Sequence, residues 1–282
     1  MDTNVKTSIT KPVLANGLKF SAAAGKALNL AGSFWFLVAI AGQWIFTYYV
    51  MALYGGSTIQ GNLEVWGDVL PHGIMEGDPM GNAALAGHLF LAILIMGLGP
   101  LQFIPYIRNH ARKFHRLNGR MYLLAVVVTS IAGLYMIWTR GTVGGLIMHV
   151  GISLDAVLIL LFAYLAWRYA VARQIKIHRR WALRLFIVVS GVWFFRVGLM
   201  LWILLNKGPV GFDPETFQGP FLSFWTFGQY LVPLAILELY LFTRDKGSAV
   251  GRFAMAGALL VLTFAMGIGI FGATMGLWLP RI

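Results

Sequence analysis

Four histidines, His88, His115, His149 and His178, each fall near the end of a long apolar stretch. Neutral imidazoles from two helices are the donors a six-coordinate haem b requires, and bundle cores are a usual place for such sites. His88 and His149 lie a few residues inside the second and fourth stretches, while His115 and His178 just precede the third and fifth. If the stretches are antiparallel spans, one histidine pair sits near each membrane face: His88 with His149 outside, His115 with His178 inside. Both pairs are candidate ligands to haem iron, and the outer pair is the better placed. The inner pair lies among arginines at headgroup level, and at 1.5 Å per residue it is about 30 Å below the outer pair. That distance is long for rapid electron transfer. His72 and His110 are weaker candidates.

Charges inside the apolar stretches are the second resource. Ionisable groups within a membrane span are costly and usually paired. Asp155 and Arg196 each lie roughly nine residues from the outer end of consecutive spans, so their depth predicts an ion pair. Arg196 could instead hold an anionic group, with Asp155 handling protons. Glu238 is level with Arg184 and forms a second candidate pair. The aromatic run Trp193-Phe194-Phe195 and the neighbouring Trp202, Phe224 and Trp225 read as packing and interface belt.

Seven apolar stretches of roughly 20 residues or more must position these groups, at about 30–54, 83–107, 117–138, 146–167, 181–205, 221–242 and 253–279. The chain is 59% hydrophobic and 11% charged, against about 25% charge in soluble domains. The expected fold class is all-α, a polytopic membrane helix bundle. Its loops set the orientation. RNHARKFHRLNGRMY, from Arg108 to Tyr122, and RQIKIHRRWALR, from Arg173 to Arg184, are short and strongly basic, which places them in the cytoplasm. With the N-terminus inside, all but four of the 22 basic residues face the cytoplasm; Arg140, Lys207 and Arg281 fall outside and Arg196 lies within a span. Six of the ten acids sit in the two larger outer loops.

The net charge of +12 flanks apolar spans instead of forming one face, which argues against nucleic acid. Zero cysteines exclude disulfides, thiolate metal sites and covalently attached haem. Residues 1–28 read as a cytoplasmic N-terminal segment with Lys6, Lys11, Lys19 and Lys26, followed by a retained first span, since the apolar run exceeds a signal-peptide core. Residues 29–282 read as one transmembrane domain with a four-helix core at about 83–205. Span two carries Gly97, Gly99, Pro100 and Pro105 and should kink towards its cytoplasmic end. Gly272 and Gly276 would allow close helix packing.

The alternation of histidines on spans two and four, and three and five, resembles the ascorbate-reducible two-haem cytochrome b family. That resemblance implies two haems b, one near each face, and electron transfer across the membrane. A second resemblance covers about 84–202 and rests on Gly99-Pro100-Leu101-Gln102-Phe103, His115-Arg116-Leu117-Asn118-Gly119-Arg120 and His178-Arg179-Arg180-Trp181. These motifs are similar to an uncharacterised family of bacterial multi-pass predicted membrane proteins, and they imply a bacterial cytoplasmic membrane but no activity.

The leading expectation is a membrane oxidoreductase holding haem b and passing electrons from a quinol (of the quinone pool) or other small reductant to an acceptor. The first rival is a transporter or small-molecule-binding protein using Asp155, Arg196 and Glu238. The second is an accessory subunit for membrane partners. No H-E-x-x-H, Walker A or G-x-S-x-G motif is present.

Overall fold

Apolar runs inside hydrocarbon can satisfy every backbone group only as helices or closed barrels. The computed structural model, which describes residues 6–70 and 72–282 and side chains from residue 17 onward, takes the helical solution. Among the described residues there is no strand, only one isolated bridge between Asp213 and Gln218. The α-helices are α1 (Lys6–Val50), α2 (Gly56–Ile59), α3 (Pro79–Leu98), α4 (Pro105–His110), α5 (Arg112–Thr139), α6 (Gly145–Val171), α7 (Ile175–Val189), α8 (Gly191–Asn206), α9 (Pro220–Lys246) and α10 (Ala249–Ala273).

Six described segments are long and apolar enough to cross a membrane: Gly17–Ile59, Pro79–Phe103, Arg112–Thr139, Gly145–Val171, Pro220–Lys246 and Ala249–Arg281. The pair α7 and α8, bent by 52°, makes a seventh if it is one span. The protein is a multi-pass all-α membrane protein. Six of the seven expected spans have a counterpart, and the bent pair α7–α8 covers the fifth. The first helix is longer than expected, since 45 residues rise about 68 Å, roughly twice the hydrocarbon thickness.

The chain divides into two compact units, Met1–Ala39 with Ala235–Gly267, and Ile40–Leu234 with Ile268–Ile282. In the first, Leu28 and Ala31 of α1 bury against Met255, Ala256 and Leu259 of α10, with Phe20 on Phe253 and Phe34 on Phe264. The second contains the whole 83–205 region. There α3 packs on α5, α5 on α6 and α6 on α7. Ile95, Tyr122, Val126, Phe162, Leu185, Val188 and Tyr230 form its core.

Local sequence explains the helix ends. Asp78 caps α3 by accepting from Gly81 N–H at 2.9 Å, and Pro79 occupies the first helical position, where its missing N–H is not needed. At the other end α3 stops at Leu98, and Pro100–Phe103 forms a 3-10 turn before α4. The expected kink is thus a break. The glycine-rich face of the last span does allow close approach: a Cβ at Gly269 would strike the Val197 carbonyl, and one at Gly272 would lie 2.6 Å from Leu204 on α8.

The break between α7 and α8 falls at Ser190. Its hydroxyl donates to Phe186 O at 2.7 Å, the back-bonding that bends helices, and Gln43 Nε2 on α1 donates to the same hydroxyl at 2.9 Å. Gly191 follows, with the carboxylate of Asp155 against it: a Cβ there would lie 2.5 Å from Asp155 Oδ2.

Candidate functional site

At the outer end of the second unit, Arg140 and not a histidine organises the loops. Its side chain is 5% exposed and meets Asp78 Oδ2 at 2.7 Å. It also donates to Asn82 Oδ1 at 2.7 Å, and Asn82 in turn holds the Met75 backbone through N–H and C=O. Gly81 N–H, followed by Arg140, holds the Asp78 carboxyl below the usual carboxylate range. A depressed folded-state value means the stabilisation is complete above the ordinary carboxylate range and is lost as pH falls through the lower folded value. Arg140→Gln should therefore melt at lower temperature than wild type at neutral pH, and the gap should narrow in acid, leaving the part due to the bond with Asn82. Thermal melts over that range check it.

His149 sits in this outer region. Its Nε2 accepts from Thr142 N–H at 3.0 Å, and its ring lies 6.0 Å from Trp138. A Cβ at Gly141 would be 4.0 Å from Nε2 of both His149 and His72, so both rings border Gly141. His88 lies deeper. Its Nδ1 donates to Thr129 O at 3.1 Å, and its ring borders Gly133. Thr129 and Trp138 are nine residues apart on α5, about 13 Å along the axis. Two axial ligands of one iron need nitrogens about 4 Å apart.

At the inner end the two basic loops meet. His115 is within electrostatic reach of His178, Arg108 and Arg179, and burial followed by Arg179's charge pushes the Arg108 guanidinium below its usual value. With the Gln102 amide turned so that its nitrogen faces His115, it donates to His115 Nδ1 at 2.9 Å, while its oxygen accepts from Asn118 Nδ2 and Gly119 N. Asn118 also donates to Leu98 O. The GPLQF and HRLNGR motifs are thus a hydrogen-bonded staple. His178 Nδ1 donates to Ala166 O at 2.9 Å, and Arg184 stacks on Trp181 with Cζ 4.5 Å from the ring.

These tautomers decide the fit to haem. His88 and His178 donate through Nδ1 and keep a lone pair on Nε2, but His149 spends its Nε2 lone pair on Thr142 and His115 carries its proton on Nε2. Each pair therefore offers one free lone pair where bis-imidazole haem takes two. As arranged, neither the outer nor the inner histidines fit that cofactor. An absorption spectrum of the purified protein, before and after dithionite, should lack sharp low-spin bands. Bands that vanish in His88→Ala or His178→Ala would contradict this.

The ion pair expected from matching depth, Asp155 with Arg196, does not form. Arg196 donates to its own Val192 O at 3.0 Å and lies 5.4 Å over the Phe46 ring. Asp155 is 5% exposed, and its Oδ1 has no hydrogen-bond partner. Counting along spans gives height but not rotation about the helix axis, and the bend at Ser190 redirects α8. Glu238 belongs to the other compact unit, and its pairing with Arg184 remains an expectation from sequence.

Asp155 instead anchors a line of buried polar groups around the helix break. Gln43 and Ser190 lie on one side of Gly191, and Tyr230 borders it on another. Tyr230 donates to Gly151 O at 3.2 Å; Thr226 abuts Gly151, and Gln229 Nε2 donates to Thr226 O. Gln43 Oε1, Thr226 Oγ1 and Gln229 Oε1, like Asp155 Oδ1, are buried without a partner. Sequence reading passed over Gln43, Thr226 and Gln229; their only signal was an uncharged polar side chain in an otherwise apolar helix. Four such unpartnered oxygens in one neighbourhood are unusual, because buried polar atoms are overwhelmingly hydrogen-bonded. No group of three or more metal-ligating side chains occurs among the described residues.

Residues 85–215 match a family described as predicted membrane protein (DUF2306). No curated protein and no solved structure gives a match. The DUF2306 match takes in Asp155, the break at Ser190, Arg196 and the staple motifs, but stops short of Gln43, Thr226 and Tyr230. It brings no activity with it.

Proposed function

We propose that this protein is a proton-translocating membrane transport protein in which Asp155 is the proton-carrying group. The observation that carries the reading is the buried Asp155 carboxyl with an unpartnered oxygen, set against Gly191 at the 52° break between α7 and α8. Intramembrane carboxyls mark proton relays, and discontinuous helices are where transporters place their sites, because the broken turn frees backbone groups for a ligand. The neutral acid can donate a hydrogen bond, whereas the ionised form can only accept. Protonation therefore changes which groups at the break are satisfied, and the break is the element able to respond by bending.

Proteoliposomes loaded with a pH-sensitive dye test it. Under an imposed membrane potential the wild-type protein should carry protons faster than protein-free liposomes, and Asp155→Asn should not.

A further inference from the structure

The first compact unit holds a groove that proton movement at Asp155 does not use. It lies between α1 and α10, has a volume of about 550 Å³, and every residue lining it is apolar. Ala31 and Ala256 form a buried floor. Gly257 leaves that floor open, since a Cβ there would meet nothing within 4 Å. The exposed side chains of Leu30, Phe34 and Leu260 form the rims.

Its place along the two spans says what it meets. Phe20 packs on Phe253 and Phe34 on Phe264, so α1 and α10 run in the same direction. On α1 the first lining residue is Ala27, directly after Lys26; on α10 it is Phe253, directly after Arg252. No further charge follows until Glu64 after the first cation and Arg281 after the second. The groove therefore begins where both spans turn apolar, at the level of the lipid head groups. It extends about 10 Å along each helix, within the roughly 15 Å of hydrocarbon in one leaflet.

Its mouth is positive. Lys26 is exposed and has no ion pair among the described residues. Arg252 donates one N–H to Arg244 O at 3.4 Å, and its Nε has no partner. Asp245, the acid nearest to Arg252 in sequence, pairs with Arg244 at 3.5 Å.

We propose that this groove is a phospholipid site, seating one acyl chain of a lipid with an anionic head group. Leu28 of α1 already packs on Met255 and Leu259 of α10, which sets the helix axes about 8–10 Å apart. A third helix, about 10–12 Å wide with its side chains, cannot enter between them, whereas a hydrocarbon chain can. Basic side chains at head-group level favour anionic lipid.

Native mass spectrometry of the whole chain in detergent, titrated with phosphatidylglycerol or phosphatidylcholine, reads the site. Wild type should retain one phosphatidylglycerol, about tenfold more tightly than phosphatidylcholine. Gly257→Leu puts a side chain into open space in the groove, and leucine is the better helix former. That variant should fold and lose the lipid. Lys26→Gln should narrow the preference for phosphatidylglycerol while a lipid is still bound. A wild type that retains no phospholipid overturns the proposal, as does a folded Gly257→Leu protein that retains it. Loss of a dimer instead of a lipid in Gly257→Leu overturns it too, because a second copy would then fill the groove. Equal binding of the two lipids by wild type, or an unchanged preference in Lys26→Gln, overturns the anionic head group.

Discussion

Asp155→Asn is expected to lower proton flux in proteoliposomes by roughly 100-fold or more, the usual weight of one positioned proton-transfer group, while the protein still folds and inserts. Asparagine has nearly the same shape as aspartate, so the contact with Gly191 survives. What it loses is the ability to exchange a proton. The folded state should not suffer, since the substitution removes an ionisable group from a buried place where its charge has no counter-ion. A variant that is well folded and inactive separates this outcome from general damage. Size-exclusion behaviour and a thermal melt supply the folding control.

Gly269→Ala should be the most damaging of the small substitutions in the last span, costing about 1–3 kcal/mol, the usual range for overpacking. The reason is what its new methyl group meets. At Gly269 that is the backbone carbonyl and the side chain of Val197 on α8, and a helix backbone cannot step aside. At Gly276 the obstacle is Met200 Cε at 2.9 Å, the far end of a flexible side chain. Gly276→Ala should stay within about 0.5 kcal/mol of wild type. Melting the two variants side by side checks the order, and equal effects would mean that α8 and α10 do not meet through Gly269.

Fold class and span positions were legible because they depend on apolar length, which the chain writes plainly. Orientation of side chains was not. His88 and His149 look level when counted along the apolar runs, yet α3 begins nine residues before His88 and α6 only four before His149, and along α5 they stand at Thr129–Gly133 and beside Trp138. The break at Ser190 is hidden inside a continuous apolar run, and only the Ser-Gly pair hinted at it. It defeats depth matching, so Asp155 finds Gly191 and Arg196 finds Phe46. Arg140 looked like an exception to the charge rule. Its role depends on Asp78 and Asn82, some 60 residues earlier, a distance no local pattern encodes. The GPLQF and HRLNGR strings, by contrast, were visible in the sequence, but their role as a Gln102–His115–Asn118 staple needed coordinates.

Infrared difference spectroscopy of the wild-type protein across a pH step reads the Asp155 carboxyl directly. A protonated-carboxyl stretch that grows on acidification and is absent from Asp155→Asn is the predicted result. A wild-type spectrum with no such Asp155-dependent band, at any pH where the protein stays folded, would contradict proton exchange at this residue and with it the transport reading.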